Sequence, residues 1–386
     1  MTLNSLIPYS RHLLDEDDMA VVNAVLNSDF ITQGPKIKEF EERLSAYCCA
    51  KYAVVFNSGT SALHGAYFSA GLSSGEEVIT SPLTFVATAN AALMLGANPV
   101  FVDVEYDTGN IDATLVESAI NSRTKIIVPV HFAGHPSDME KINYLAGKYN
   151  LKVVEDACHA IGALYKGEIT GNCKYSDMTV FSFHPAKHIT TAEGGAVITN
   201  NPDIYNKLLM FRTHGITKEN FMGEPDGEWY YEMQFLGYNY RLTDIQAALG
   251  ISQLKKIDSF IKRRREIASR YNRIFENNPF FDLPVERDYV NVSYHLYPIR
   301  LKDKYKVKKK DIFSRLLKMD LGVQVHYIPV YLQPYYRKLG YKKRQCPQAE
   351  EFYAREISIP IYPAMSDMDI EQVAEKIETV FHEFDK

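Results

Sequence analysis

The sequence predicts an α/β fold: a mostly parallel sheet with helices on both faces, followed by a smaller C-terminal α+β unit. Three observations carry this. Short apolar runs alternate with helical patterns, as strands buried on both sides of a parallel sheet do. Two later runs, 178–183 and 195–199, have no helix between them, so a hairpin-like reversal is expected there. After about residue 243 the pattern turns into long amphipathic stretches and a smaller mixed unit.

In chain order, the strand Ala53-Val54-Val55-Phe56 is followed by Asn57-Ser58-Gly59-Thr60-Ser61 and a helix over 62–70. Strand 78–80 precedes a helix over 84–95. Strands 99–103, 125–130 and 151–155 continue the scheme, with helices near 112–120 and 137–149. The amphipathic stretches 243–257 and 259–276 lead into strand 294–300, helix 309–319, strand 323–327 and a last helix over 367–384. The expected division is 1–255, an N-terminal arm with the large α/β domain, and 256–386, a linking helix with the small α+β domain.

Composition narrows the function. With 46% hydrophobic and 24% charged residues, the 386-residue chain can build and cover a sizeable core. A formal charge of −5 argues against a protein that grips nucleic acid through phosphates. The basic runs Lys262-Arg263-Arg264-Arg265 and Lys308-Lys309-Lys310 read as solvated helix faces. No apolar stretch approaches the ~20 residues of a membrane-spanning helix, and the first residues lack the charged-then-apolar order of a signal peptide. Five cysteines without a CxxC pair or zinc spacing fit reduced thiols in a cytoplasmic enzyme with no metal centre. The 26 tyrosines predict many half-buried rings with wet hydroxyls.

Three segments carry chemistry. Asn57 to Ala62 is a strand-to-helix turn whose free N–H groups make an anion site, with the hydroxyls of Thr60 and Ser61 as further donors. Read alone, it is equally a capped helix with nothing bound, and it is neither a Walker motif nor a dinucleotide fingerprint. Asp156 ends the apolar run Val153-Val154-Glu155, so its carboxylate points into the crevice where open α/β sheets bind ligands. It is suited to a cationic ring nitrogen, or to capping a turn. Lys187 follows the apolar strand Phe181-Ser182-Phe183, beside His184 and His188, with Gly194-Gly195 allowing close backbone approach. A lysine whose pKa is lowered by such surroundings forms a Schiff base with a carbonyl. An anion cradle, a strand-end aspartate and, 31 residues on, a strand-end lysine together match what pyridoxal phosphate (PLP) needs.

With these residues in view, the chain resembles the PLP-dependent sugar aminotransferases of the DegT/DnrJ/StrS family. The likeness extends over nearly the whole chain. It includes Phe30-Ile31-Thr32-Gln33-Gly34, the stretch from Ser81-Pro82-Leu83 to Asn90, and that from Asn239-Tyr240-Arg241 to Gly250. His326-Tyr327-Ile328-Pro329, and Cys346-Pro347 with Ser358-Ile359-Pro360, complete the set in the family's order. The resemblance implies fold type I of the PLP-dependent transferases, with a seven-stranded, mostly parallel sheet. It implies Lys187 as the Schiff-base lysine, Asp156 as the pyridinium partner, and Gly59, Thr60 and Ser182 at the phosphate. Phe85 matches the position stacked on the ring, and His159 the polar position beside it. Asn239 matches a residue that reaches the neighbouring subunit's cofactor phosphate, so a homodimer with shared sites is implied.

Within the family, the stretch from Phe181 to Gly195 and Gln324-Val325-His326-Tyr327 look most like the branch of pseudaminic acid biosynthesis. That branch moves an amino group from L-glutamate to C4 of a UDP-linked 4-keto-6-deoxy-N-acetylhexosamine, giving an altrosamine. In it, Tyr9, Asp29, Phe30, Ile31, Thr32, His184, Asn239, Gln324, Val325, His326 and Tyr327 match nucleotide-sugar contacts. The alternatives are a bacillosamine-type 4-aminotransferase acting on the D-xylo keto sugar, and a non-catalytic PLP-binding scaffold. A family 3-dehydratase would carry histidine where this chain has Lys187.

Overall fold

A computed structural model describes residues 6–385. Seven strands make the central sheet: β1 (Tyr52–Phe56), β2 (Glu77–Thr80), β3 (Asn98–Phe101), β4 (Thr124–Val128), β5 (Lys152–Asp156), β6 (Met178–Ser182) and β7 (Gly195–Thr199). Their order is β1-β7-β6-β5-β4-β2-β3. Only β7 runs against the other six, because the reversal between β6 and β7 is antiparallel, as the missing helix predicts. Val54, Val55 and Phe56, like Ile126, Ile127 and Val128, have no exposed surface, which is why these runs are apolar on both faces.

Helices α1 (Glu16–Leu26), α2 (Pro35–Tyr47), α3 (Gly59–Ser69), α4 (Ala87–Met94), α5 (Met139–Tyr149), α6 (Pro202–Phe211) and α7 (Asp244–Leu254) surround the sheet. The long α8 (Ile257–Ile274) then leads to a three-stranded antiparallel sheet of β8 (Phe281–Asp282), β9 (Tyr297–Leu301) and β10 (Glu356–Ile359). That sheet is backed by α9 (Lys309–Lys318), α10 (Pro347–Arg355) and α11 (Asp367–Asp385). One apolar cluster runs from Ile79, Ile127 and Val153 through Tyr271 to Ile299, Ile357 and Ile377, so the two sheets share a core. The chain near Ile7 pairs with Leu321, and Ile361 N–H donates to the Tyr9 carbonyl, which carries the N-terminal stretch to the smaller sheet.

Several sequence expectations change. Residues 323–327 form no strand: only Gln324 bridges to Ser358, and the main-chain N–H of His326 goes to the Glu356 side chain instead of a carbonyl. The helix near 112–120 shrinks to Val116–Ala119. The basic runs are not wholly solvated. Arg264 is fully buried on the inner stripe of α8 with Ile261, Ile267 and Ala268, and its Nη1 donates to the carbonyls of Tyr294, His295 and Ile361. Lys309 turns inward to the Tyr353 carbonyl. Nor do all the tyrosines keep a wet hydroxyl: Tyr67 and Tyr271 are sealed in, each donating to a main-chain carbonyl at 2.9 Å.

Candidate active site

The sheet register assembles the site. Phe56, Gly195 and Ser182 lie side by side on β1, β7 and β6, and Asp156 pairs with Val180 two residues before Ser182. The ends of β1, β5 and β6 therefore open on one edge, beside the start of β7. There α3 begins, its N-terminus capped by Ser58, whose hydroxyl accepts from Ser61 N–H at 3.1 Å. Such a cap is worth about 1 kcal/mol. Ser61 is consumed in the same box, since it bonds Ser58 and donates to Asn57 Oδ1 at 2.7 Å. Its hydroxyl is therefore structural, contrary to the expected extra donor. The remaining N–H groups of the first turn, with Thr60, face the edge.

Two glycines make this cradle close. A methyl group on Gly195 would sit 2.5 Å from the Ser58 carbonyl oxygen, and one on Gly59 3.0 Å from Ser182 Cβ. The backbone of β7 thus runs hard against the helix start, which a side chain would prise apart.

Asp156 is 4% exposed at the tip of β5. Its Oδ2 accepts from Thr88 Oγ1 at 2.6 Å and its Oδ1 from Cys158 N–H at 3.2 Å. Lys187 turns its amine inward, with Nζ 3.4 Å from His295 Nε2. Burial lowers the Lys187 pKa, and Asp156 opposes that shift. Around it stand His159, His188 and His295, all pushed well below the ordinary histidine range, first by burial. His159 packs against His295 with ring centres 4.3 Å apart, and its Nε2 lies 3.0 Å from the Tyr327 hydroxyl. His326 continues the wall, tilted against Tyr9 at 5.8 Å.

Lys187, Asp156, His159, His326, Tyr327 and Tyr9 are thus drawn together at this edge of the sheet, with Gly59, Thr60 and Ser182 beside them. Phe85 is 60% exposed. His184 and Gln324 are exposed and Val325 is half-buried. Asp29, Phe30, Ile31 and Thr32 are exposed on the loop between α1 and α2, tied to α7 by the Thr32–Thr243 bridge and by Asp244 N–H donating to the Ile31 carbonyl. Asn239 is exposed too, its carbonyl accepting from Asn57 Nδ2 at 3.4 Å, at the mouth of its own chain's cradle. Sequence reasoning placed His188 beside Lys187 but gave no role to His295 or Thr88. Thr88 lies inside a quoted motif, whereas His295 is 108 residues from Lys187.

The family model of DegT/DnrJ/EryC1/StrS aminotransferases matches residues 12–378. The chain belongs to that family. It is 42% identical over 385 residues to a UDP-4-amino-4,6-dideoxy-N-acetyl-β-L-altrosamine transaminase of Campylobacter jejuni, covering 99% of both chains. Among solved structures, PseC of Helicobacter pylori, an aminotransferase of pseudoaminic acid biosynthesis, superposes with a TM-score of 0.92 at 39% identity, over 98% of this chain and 100% of that one. A sugar aminotransferase of Streptococcus pneumoniae in its PLP form gives 0.92 at 32%, over 98% and 99%. As a member of this aminotransferase family, the chain uses pyridoxal 5'-phosphate. The cradle, the buried Asp156 and the inward Lys187 fit that cofactor: an anion site, a ring-nitrogen partner and an amine. Among the described residues no cluster of His, Cys, Asp or Glu could hold a metal ion, and no helix is long and apolar enough to cross a membrane.

Proposed function

We propose that this aminotransferase moves the amino group of L-glutamate to C4 of UDP-2-acetamido-2,6-dideoxy-β-L-arabino-hex-4-ulose. The product is UDP-4-amino-4,6-dideoxy-N-acetyl-β-L-altrosamine, for pseudaminic acid synthesis. The observation that carries this is the inward Lys187 amine, within the electrostatic reach of an Asp156 carboxylate fixed by two hydrogen bonds, in a chain 42% identical to an altrosamine transaminase.

Lys187 Nζ would hold the cofactor through its aldehyde and, once displaced by the amine of glutamate, would take and return the proton between the glutamate α-carbon and its acceptor position. Its lowered pKa supports this, because only the neutral amine attacks or accepts a proton. Bound PLP supplies the electron sink for the C–H bond that breaks. Asp156 would sit against the ring nitrogen and keep it cationic. The α3 N-terminus, with Gly59, Thr60 and Ser182, would bind the phosphate. Phe85 and His159 would flank the ring, with Phe132 packed edge-on against both His159 and Tyr327 behind it.

The sugar nucleotide meets Tyr9, Asp29 to Thr32, His184, Asn239 and Gln324 to Tyr327. Its diphosphate and uracil do not react, so their binding orients C4 for attack. Two copies of the chain form the working unit, with Asn239 reaching the other copy's cofactor phosphate. The exposure of Phe30, Ile31, Met222, Trp229 and Leu236, each more than half uncovered, supports a covering partner. The test is kcat/KM for the L-arabino keto sugar against its D-xylo 5-epimer. The two differ in where the C6 methyl points, a contact worth ~1–3 kcal/mol or about 10–200-fold. Preference for the L-arabino sugar is expected, whereas preference for the D-xylo sugar makes the protein a bacillosamine-type enzyme.

A further inference from the structure

A positive charge is buried beside the Lys187 cluster with no carboxylate bound to it. Arg264, on the inner stripe of α8, has no exposed surface. Its Nη1 reaches only carbonyls: Tyr294 at 3.1 Å, His295 at 3.3 Å and Ile361 at 2.8 Å. Nε and Nη2 have no hydrogen-bond partner, and the guanidinium forms no ion pair among the described residues. An unpaired buried charge is costly, and an apolar side chain would fill the same stripe without that cost. The turn that Arg264 grips leads to the amine. The Ser293 carbonyl accepts from His188 Nε2 at 3.0 Å, and His295 Nε2 lies 3.4 Å from Lys187 Nζ. His295 therefore touches the guanidinium with its carbonyl and the amine with its ring.

The groups facing the amine can be taken in turn. Burial is the first cause that lowers the Lys187 pKa, Cys158 and Asp156 oppose it, and Arg264 adds to it. Burial raises the Cys158 thiol well above its ordinary range, so it is neutral near pH 7. His159, His188, His295 and His326 are held low, first by burial, and are neutral too. Burial brings Arg264 itself down to about 9, which leaves it cationic at neutral pH. Among the described residues, Asp156 is then the one anion and Arg264 the one cation acting on the amine. A fixed positive charge disfavours a second one nearby, which is one of the ways a lysine is made nucleophilic.

We propose that Arg264 is a positioning residue for Lys187: its buried charge keeps the amine neutral, while its bond to the His295 carbonyl holds that imidazole against the amine. The part this plays in catalysis rests on the role of Lys187 proposed above, while the charge effect does not.

The experiment is a 13C NMR titration of the full chain loaded with pyridoxamine 5'-phosphate, which leaves the Lys187 amine free. Lysine is labelled at Cε, and the Lys187 signal is the one missing from Lys187→Ala. Arg264→Gln keeps a donor for the carbonyls but removes the charge, and should raise the Lys187 midpoint by roughly 0.5–1 pH unit. Arg264→Met, which fills the stripe without charge, is the second variant should Gln fail to fold, with the same rise expected. Arg264→Lys keeps the charge and should stay close to wild type, which a mere clasp for carbonyls does not require. Capture of PLP by the apoprotein at pH 7 should slow roughly 2- to 5-fold in the uncharged variants, because less of the amine is neutral. One midpoint shared by wild type and the uncharged variants, or an equal rise in Arg264→Lys, would overturn the inference. A raised midpoint with unchanged capture would overturn its part in catalysis. If Lys187→Ala captures PLP as wild type does, the proposed role of Lys187 fails, while the titration of wild type against the Arg264 variants still decides the charge effect.

Discussion

Thr88 Oγ1 donates a 2.6 Å hydrogen bond to Asp156 Oδ2, tying the first turn of α4 to the end of β5. With Cys158 N–H on the other oxygen, the carboxylate is aimed before any ligand arrives. Thr88→Val keeps the shape and removes the donor, a bond to a charged group worth about 1.5–3 kcal/mol. It should lower kcat about tenfold or more and weaken cofactor binding. Titration with PLP and steady-state rates check it, and unchanged values would make the contact incidental.

Asp156→Asn goes further, because it removes the charge that, in the proposed function, keeps the ring nitrogen protonated. Turnover should fall by roughly two orders of magnitude or more, with KM for the sugar changed far less. A near-normal rate would reduce Asp156 to a turn residue.

The Lys187 amine should capture PLP faster as pH rises, since only its neutral form attacks. Burial lowers its pKa, so the midpoint of the rate against pH should lie below the ordinary lysine value. Asp156 favours the ammonium form, so Asp156→Asn should move that midpoint lower still. Stopped-flow absorbance on apoprotein measures both, and a midpoint at the ordinary lysine value in both proteins would contradict the burial argument.

Subunit sharing is checked by mixing chains. Lys187→Ala and Asn239→Asp are each expected to be inactive, the second because a carboxylate is set beside a phosphate. In a mixed dimer one of the two sites regains both intact residues, so activity should return. No recovery in samples containing heterodimers would assign Asn239 to its own chain's cradle, which its contact with Asn57 also allows.

Acid lability should track the buried histidines. His188 is 3% exposed, its Nε2 donates to the Ser293 carbonyl at 3.0 Å, and its pKa lies well below the usual value, first through burial. Below about pH 6.5 the unfolded chain takes up a proton that the folded one refuses, so stability falls as pH falls, by about 1.4 kcal/mol per unit for each such group. His188→Gln keeps a donor and does not titrate. Between pH 6 and pH 5 its urea-derived stability should decline less steeply by about that amount, and an equal slope would contradict the assignment.

Much of the site could be read from the sequence because its parts sit at strand ends. Asp156 and Ser182 close apolar runs, Lys187 follows one, and Gly59 starts the helix after β1. Each therefore has a local signal. His295 has none, its partner lying 108 residues away, and Thr88 is marked only by the motif that contains it, its partner lying 68 residues on. Arg264 had a signal that was outweighed by its charged neighbours. At helical spacing it falls on the stripe of Phe260, Ile261, Ile267, Ala268 and Tyr271, so the period placed it inside while the run Lys262 to Arg265 suggested a wet face. The segment 323–327 was apolar enough for a strand, but the Glu356 side chain took the N–H that a strand would have given a neighbour.

The central claim is that Lys187 transfers glutamate nitrogen to a UDP-linked 4-keto sugar. The direct measurement supplies 15N-labelled L-glutamate, PLP and UDP-2-acetamido-2,6-dideoxy-β-L-arabino-hex-4-ulose to the wild type and to Lys187→Ala, and weighs the product. A 15N-labelled 4-amino sugar formed by the wild type alone is the predicted result. A wild type that forms no labelled amino sugar, or a Lys187→Ala chain that forms it without added amine, would contradict the account.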